Sequence, residues 1–189
     1  MSNFSSFPGS LSPPTDSLTS SASEQYLRFY LEPNTTALLP LQQLTEVITI
    51  PISQIVPIFN MPAWVMGVYN WRGEILWMVD LNHLIGLTPW YQQTGSGSVH
   101  SAIVLYIRAN NATANNGKSK ILGLVVNRIE DIEWCNSDLI QSPPSSTVTP
   151  ELVPFLRGYW LKSNREMLVV LNGEAILASM PNVEVSAAS

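Results

Sequence analysis

One cysteine in 189 residues excludes an internal disulfide framework, because a covalent bridge needs two thiols. That residue, Cys135, and the two histidines, His83 and His100, have no second ligand type at metal spacing, so no metal or other cofactor is expected. Lys and Arg total nine against fourteen Asp and Glu, giving a net charge of −5 with no basic run. Such a balance argues against a surface that tracks the phosphates of nucleic acid or anionic lipid. No apolar run exceeds about six residues, far below the ~18 that a bilayer-spanning helix needs, so no direct membrane insertion is expected. Residues 1–23 are rich in Ser, Pro and Thr and carry no cation, so they lack the charged and apolar regions of a secretory leader. They read as a disordered tail, residues 182–189 as a flexible C-terminus, and the cytoplasm as the compartment.

What the chain does have is 46% hydrophobic residues, arranged in short runs of Val, Ile, Leu, Tyr and Trp broken by Gly, Pro or Asn. Few stretches sustain a helical period, so the pattern is mostly β. Strands are predicted at 25–31, 37–41, 45–50, 68–71, 74–80, 102–108, 121–126, 128–134, 158–162 and 167–171. Pro51, Pro57 and Pro62 break the ladder between the third and fourth. In the first strand, Leu27, Phe29 and Leu31 can enter a core while Tyr26, Arg28 and Tyr30 form an amphipathic face. Asp80 can cap a brief helix that Gly86 ends, and Gly173 to Met180 reads as a closing helix. Two β units of similar layout emerge, divided near 88–101, and so many short strands favour closed barrels, which leave no sticky edge.

The most informative stretch is Val65 to Gly86, VMGVYNWRGEILWMVDLNHLIG, where Arg72 and Gly73 make a turn between two strands. Only one other Lys or Arg, Arg28, precedes Arg108. An arginine presents five donors in a rigid fork and suits bidentate pairing, so its isolation on a tight turn points to recognition; a solvated turn residue is the plainer reading.

Those residues resemble the CheW-like family of chemotaxis adaptors, over roughly Gln25 to Met180. The pattern Gly67-Val68, Asn70-Trp71-Arg72-Gly73 and Asp80-Leu81 carries the likeness, supported upstream by Leu44-Thr45-Glu46-Val47-Ile48 and downstream by Gly123-Leu124-Val125-Val126 with Pro143-Pro144. The ending from Phe155 to Met180 is similar to the variant of cyanobacterial phototaxis and type IV pilus motility systems. The resemblance implies an all-β fold of two interlocked SH3-like five-stranded barrels with a few short helices, occupying residues 24–181. It implies a non-enzymatic adaptor that couples chemoreceptors, through their cytoplasmic hairpin tip, to the regulatory domain of a CheA-type histidine kinase, recruited to membrane-associated receptor arrays. Carried across by motif, Leu44, Glu46, Asn70, Arg72 and Gly73 are the partner-binding residues. Glu46 and Arg72 would pair, Leu44 would supply apolar groove area and Gly73 would allow the turn. The chain departs from the family pattern at Trp71, Trp77, Asn127 and Asn172. At the last two an acidic residue is frequent, so the kinase-facing contact of the second barrel is expected to change.

No catalytic arrangement is evident. Gly117-Lys118-Ser119 has no first glycine at the spacing of a phosphate-binding loop, and Glu130, Asp131 and Glu133 read as a solvated strand edge, since successive strand residues face opposite ways. The rival to an adaptor is a β-barrel module for carbohydrate or peptide, suggested by six Trp and six Tyr that could stack on a ligand.

Overall fold

Short β-branched and aromatic runs bounded by Pro, Gly and Asn build strands at every predicted position, with ends shifted by at most three residues. The structure, a computed structural model, describes residues 23–95, 97–107, 120–142 and 149–181. The expected N-terminal tail up to residue 22, the Asn-rich loop with Gly117-Lys118-Ser119, Pro143-Pro144 and residues 182–189 lie outside them. In chain order the elements are β1 (Ser23–Leu31), β2 (Thr35–Pro40), β3 (Leu44–Pro51), β4 (Val65–Trp71), β5 (Glu74–Asp80) and α1 (Leu81–Leu84). There follow β6 (Val99–Ile107), β7 (Lys120–Val126), β8 (Arg128–Asn136), β9 (Leu156–Leu161), β10 (Met167–Leu171) and α2 (Gly173–Ala178).

Two five-stranded sheets result. One, drawn from both ends of the chain, has the order β8-β1-β2-β10-β9; the other, central in sequence, has β3-β6-β7-β5-β4. Each closes on itself through one bridge placed just after its first edge strand. Val56 exchanges backbone hydrogen bonds of 2.8 and 2.9 Å with Val68 of β4, and Gln141 exchanges two of 2.8 Å with Tyr159 of β9. The closures leave two barrels, which we call terminal and central.

Exchanging each of β1–β5 with the strand five places later turns the order of the terminal barrel into that of the central one. The halves β1–β5 and β6–β10 thus repeat one strand layout, but neither half closes a barrel alone. The first lends its β1–β2 hairpin to the terminal barrel, and the second lends its β6–β7 hairpin to the central barrel.

This interlocking explains the apolar runs. Strands buried on both faces lose the alternation of polar and apolar residues. Tyr26, Leu38, Cys135, Leu168 and Val170 fill the terminal barrel. Ile50, Leu76, Met78, Ala102, Val104 and Val125 fill the central one. The intervening residues of the same strands, among them Leu27, Phe29, Leu39, Val79, Ile103, Leu105, Leu124, Val169 and Leu171, form the largest core, which lies between the barrels. The second face of β1, expected to be amphipathic, thus points into a barrel, with Tyr26 fully buried.

Arg28, opposite Leu38 in the β1–β2 register, lies at 19% exposure among three carboxylates: Glu130 at 2.5 Å, Glu133 at 3.1 Å and Glu166 at 2.6 Å. Lys162 meets Glu133 at 2.6 Å and Arg128 meets Glu130 at 2.7 Å. The solvated edge predicted for Glu130 and Glu133 is therefore wrong. A β-bulge where β1 pairs with β8 shifts the register between Leu27 and Phe29, and the two glutamates converge on one cation instead of facing apart. Hydrogen bonds from Arg128 and Arg28 hold Glu130 below the usual carboxylate range. At Glu133 burial opposes the same shift, and the bonds from Lys162 and Arg28 overcome it.

Candidate functional site

The Trp71-Arg72-Gly73-Glu74 turn takes its shape from a two-residue loop in which both residues are left-handed, Arg72 at φ 54° and Gly73 at φ 85°. This is the hairpin geometry that matches strand twist, and it suits glycine at the second position. At the first position an arginine carries a Cβ penalty of ~1–2 kcal/mol. Asn70 Oδ1 accepts the Gly73 backbone N–H at 3.0 Å and fixes the loop. Arg72 Nη2 donates to Glu46 Oε2 at 2.6 Å, while the Trp71 indole N–H donates to the other Glu46 oxygen. The guanidinium also lies 5.2 Å from the centre of the Trp71 ring.

Glu46 belongs to β3 and the turn to the end of β4, the two edges of the central sheet. Their side chains therefore close at the rim the seam that the Val56–Val68 bridge closes lower down. Gly67 makes that bridge possible: at φ 139° a Cβ would overlap the Val56 carbonyl. Arg72 remains 67% exposed and Glu46 25%, so one guanidinium edge is committed and the rest faces outward. Beside this rim lies the exposed side chain of Ile75, paired in register with Asn70.

Four of the five residues singled out in the sequence thus meet at one rim. Leu44 does not join them; it is half-buried against the core between the barrels. Trp71 and Trp77 are likewise half-buried, Trp71 against the central core and Trp77 against the shared one.

A second concave feature lies where the barrels meet. Ser23, Glu24 and Gln25 of β1, Trp134 of β8 and Leu41 and Gln42 of the turn leading into β3 line a groove of about 430 Å³. Trp134 is 61% exposed and pairs with Gln25 across β1 and β8. Sequence reading missed this residue. Its signal was a tryptophan on the alternate face from Cys135, in a strand whose other large side chains are charged or aliphatic. Glu24 anchors the groove wall by accepting from the Tyr26 hydroxyl at 2.9 Å, with Arg157 3.9 Å away. Burial, reinforced by that hydrogen bond, pushes the Tyr26 hydroxyl up to about 12, so it stays neutral.

The two asparagines that replace acidic residues have structural tasks. Asn127 Oδ1 accepts from the Glu32 backbone and from Asn82 Nδ2, each at 2.9 Å, and its Nδ2 donates to Gln93 at 2.6 Å. Asn172 caps α2 by accepting from Glu174 and Ala175, as Asp80 caps α1 by accepting from His83. Burial raises the Asp80 carboxyl against the pull of the Trp90 and His83 backbone N–H groups. The Cys135 thiol is pushed up to about 11 by burial, which suits packing and not nucleophilic chemistry. Among the described residues no group of three His, Cys, Asp or Glu could hold a metal ion, and no helix is long and apolar enough to cross a membrane.

This architecture matches known proteins. The family model of the CheW-like domain matches residues 25–180. A "Probable chemotaxis protein CheW" of Rhizobium etli is 28% identical over 117 residues, 62% of this chain; the match spans 65% of that relative, less than two thirds of its length. The crystal structure of scaffolding protein TtCheW from Thermoanaerobacter tengcongensis superposes with a TM-score of 0.59 at 18% identity, covering 80% of this chain and 90% of that one, and shares the fold. With interlocked barrels, a family pattern that runs from β1 to the end of α2 and a matching solved fold, the chain belongs to the CheW-like family.

Proposed function

We propose that this chain is a signal-transduction scaffold that joins chemoreceptors to a CheA-type histidine kinase. The observation that carries the reading is the rim at Glu46, Asn70, Trp71 and Arg72: a guanidinium fixed by one carboxylate and one ring, with its free edge turned to solvent at the open end of a closed barrel. A rigid arginine beside an exposed isoleucine, Ile75, has the composition of an interface anchor. In this reading the rim faces the kinase regulatory domain, barrel end to barrel end. The groove under Trp134, lined by Leu41 and Gln42 ahead of β3, takes the helical hairpin tip of the receptor. The sequence from Phe155 to Met180 supports a phototaxis or type IV pilus pathway as the setting.

The carbohydrate reading finds less support, because five of the six tryptophans are half-buried and only Trp134 is open enough to stack on a sugar. Titrating purified chain with the regulatory domain of a CheA-type kinase and with a receptor hairpin fragment tests the proposal. Saturable binding to both is expected. A tryptophan fluorescence response to oligosaccharides, with no binding to either protein, would overturn it.

A further inference from the structure

Of the eight strand pairings in the two barrels, four join the first half of the chain to the second: β1 with β8, β2 with β10, β3 with β6 and β5 with β7. The core between the barrels also draws side chains from both halves. A half that folded alone would leave these edges and this apolar surface uncovered, so its natural complement is a second half, from whichever chain supplies it.

The covalent link between the halves is short and has two parts. Residues up to Gln93 are tied to the first half, through Leu87 N–H to the Asn82 carbonyl at 2.8 Å and Trp90 N–H to Asp80 at 2.9 Å. Thr94 to Ser98, TGSGS, is a glycine and serine stretch leading directly into β6, whose first residue Val99 pairs with Pro51. By composition, a Gly and Ser stretch of this kind has little conformational preference of its own.

From this exchange pattern we propose that the two halves are interchangeable between copies, so that a second copy of this chain is a structural partner. The first half of each would complete the barrels with the second half of the other. Residues 94–98 decide whether the exchange stays within one chain. The inference rests on strand order alone and stands apart from the proposed adaptor role.

Every contact between halves recurs in such a dimer, so the balance depends on concentration. A short flexible link gives an effective concentration on the order of mM, so at micromolar protein the closed monomer is favoured by about a thousandfold. A link too short to span the ends removes that option. Each exchanged dimer would carry two complete rims and two complete grooves, a bivalent unit.

Two constructions test this. Deleting residues 94–97 while keeping Ser98, whose carbonyl accepts the Ile52 N–H at 2.9 Å, is expected to give a folded particle of twice the 20.9 kDa chain mass by light scattering. Lengthening the same segment with Gly and Ser restores the monomer. A folded monomer from the deletion would overturn the proposal. The second construction, the full chain with a protease site inserted between Gly95 and Gly97, decides the matter even if the deletion fails to fold. After cleavage the halves are expected to stay together as one particle. When isotope-labelled and unlabelled cleaved protein are unfolded and refolded together, half of the particles should carry one label. Halves that separate in native buffer, or that never mix, would refute it.

Discussion

Replacing Arg72 separates recognition from stability, because the side chain contributes little to the fold. Its ion pair with Glu46 involves a guanidinium that is 67% exposed, and pairs of that kind are worth ~0–1 kcal/mol. The ring of Trp71 adds a further ~0.5 kcal/mol. Arg72→Ala keeps the Cβ penalty of the left-handed turn, so the net loss is about 1 kcal/mol, a fall in Tm of about 2–4 °C for a domain of this size. Arg72→Asn loses the same contacts but tolerates the left-handed backbone at φ 54°, so its Tm should remain near that of the parent. Truncating an arginine anchor costs ~2 kcal/mol of binding, about thirtyfold in Kd. Calorimetric titration with the kinase regulatory domain should therefore show both variants weakened about equally, although their thermal stabilities differ. Binding within about twofold of the parent for both variants would refute the role of Arg72. So would affinities that follow Tm instead of the loss of the guanidinium.

Arg28→Met leaves Glu130, Glu133 and Glu166 facing one another at the mouth of the terminal barrel. Allowing for its 19% exposure, we expect a loss of about 2–3 kcal/mol at neutral pH in urea unfolding. Because the native fold holds Glu130 and Glu133 below their ordinary value of 4.5, the stabilisation they supply is present above that pH and is lost as pH falls through their lowered values. The gap between parent and variant should therefore narrow below about pH 4, and a gap that widens there contradicts the network. Gly67→Ala places a Cβ against the Val56 carbonyl at φ 139° and should cost at least ~2 kcal/mol, a Tm fall of about 4–8 °C; an unchanged Tm would dispose of the seam argument. Trp134→Ala should leave Tm within about 2 °C yet weaken the receptor hairpin by tenfold or more, with kinase affinity intact. Equal loss for both partners would place the groove assignment in error.

The strands, the Asp80 cap and the closing helix were legible in the sequence because they depend on local signals, turn residues and an Asp ahead of a short helix; the Asn172 cap was not read, since that residue stood out only as a departure from the family pattern. The pairing of Glu46 with Arg72 came from motif resemblance, and no local rule predicts a contact across 26 residues. What stayed hidden depends on tertiary register. The strand exchange is invisible because a hairpin such as β1–β2 reads the same whichever barrel receives it. The convergence of Glu130 and Glu133 on Arg28 needs a bulge that composition does not announce. Trp134 looked like one more aromatic of a strand, and only the position of β8 at a sheet edge turns it outward over the groove.

The central claim is that one chain holds two partners on two separate surfaces, and sedimentation velocity of the purified chain with a kinase regulatory domain and a receptor hairpin measures this directly. A single ternary boundary is predicted, from which Arg72→Asn removes the kinase and Trp134→Ala removes the receptor. Mutually exclusive binding, or a ternary boundary indifferent to both substitutions, would contradict it.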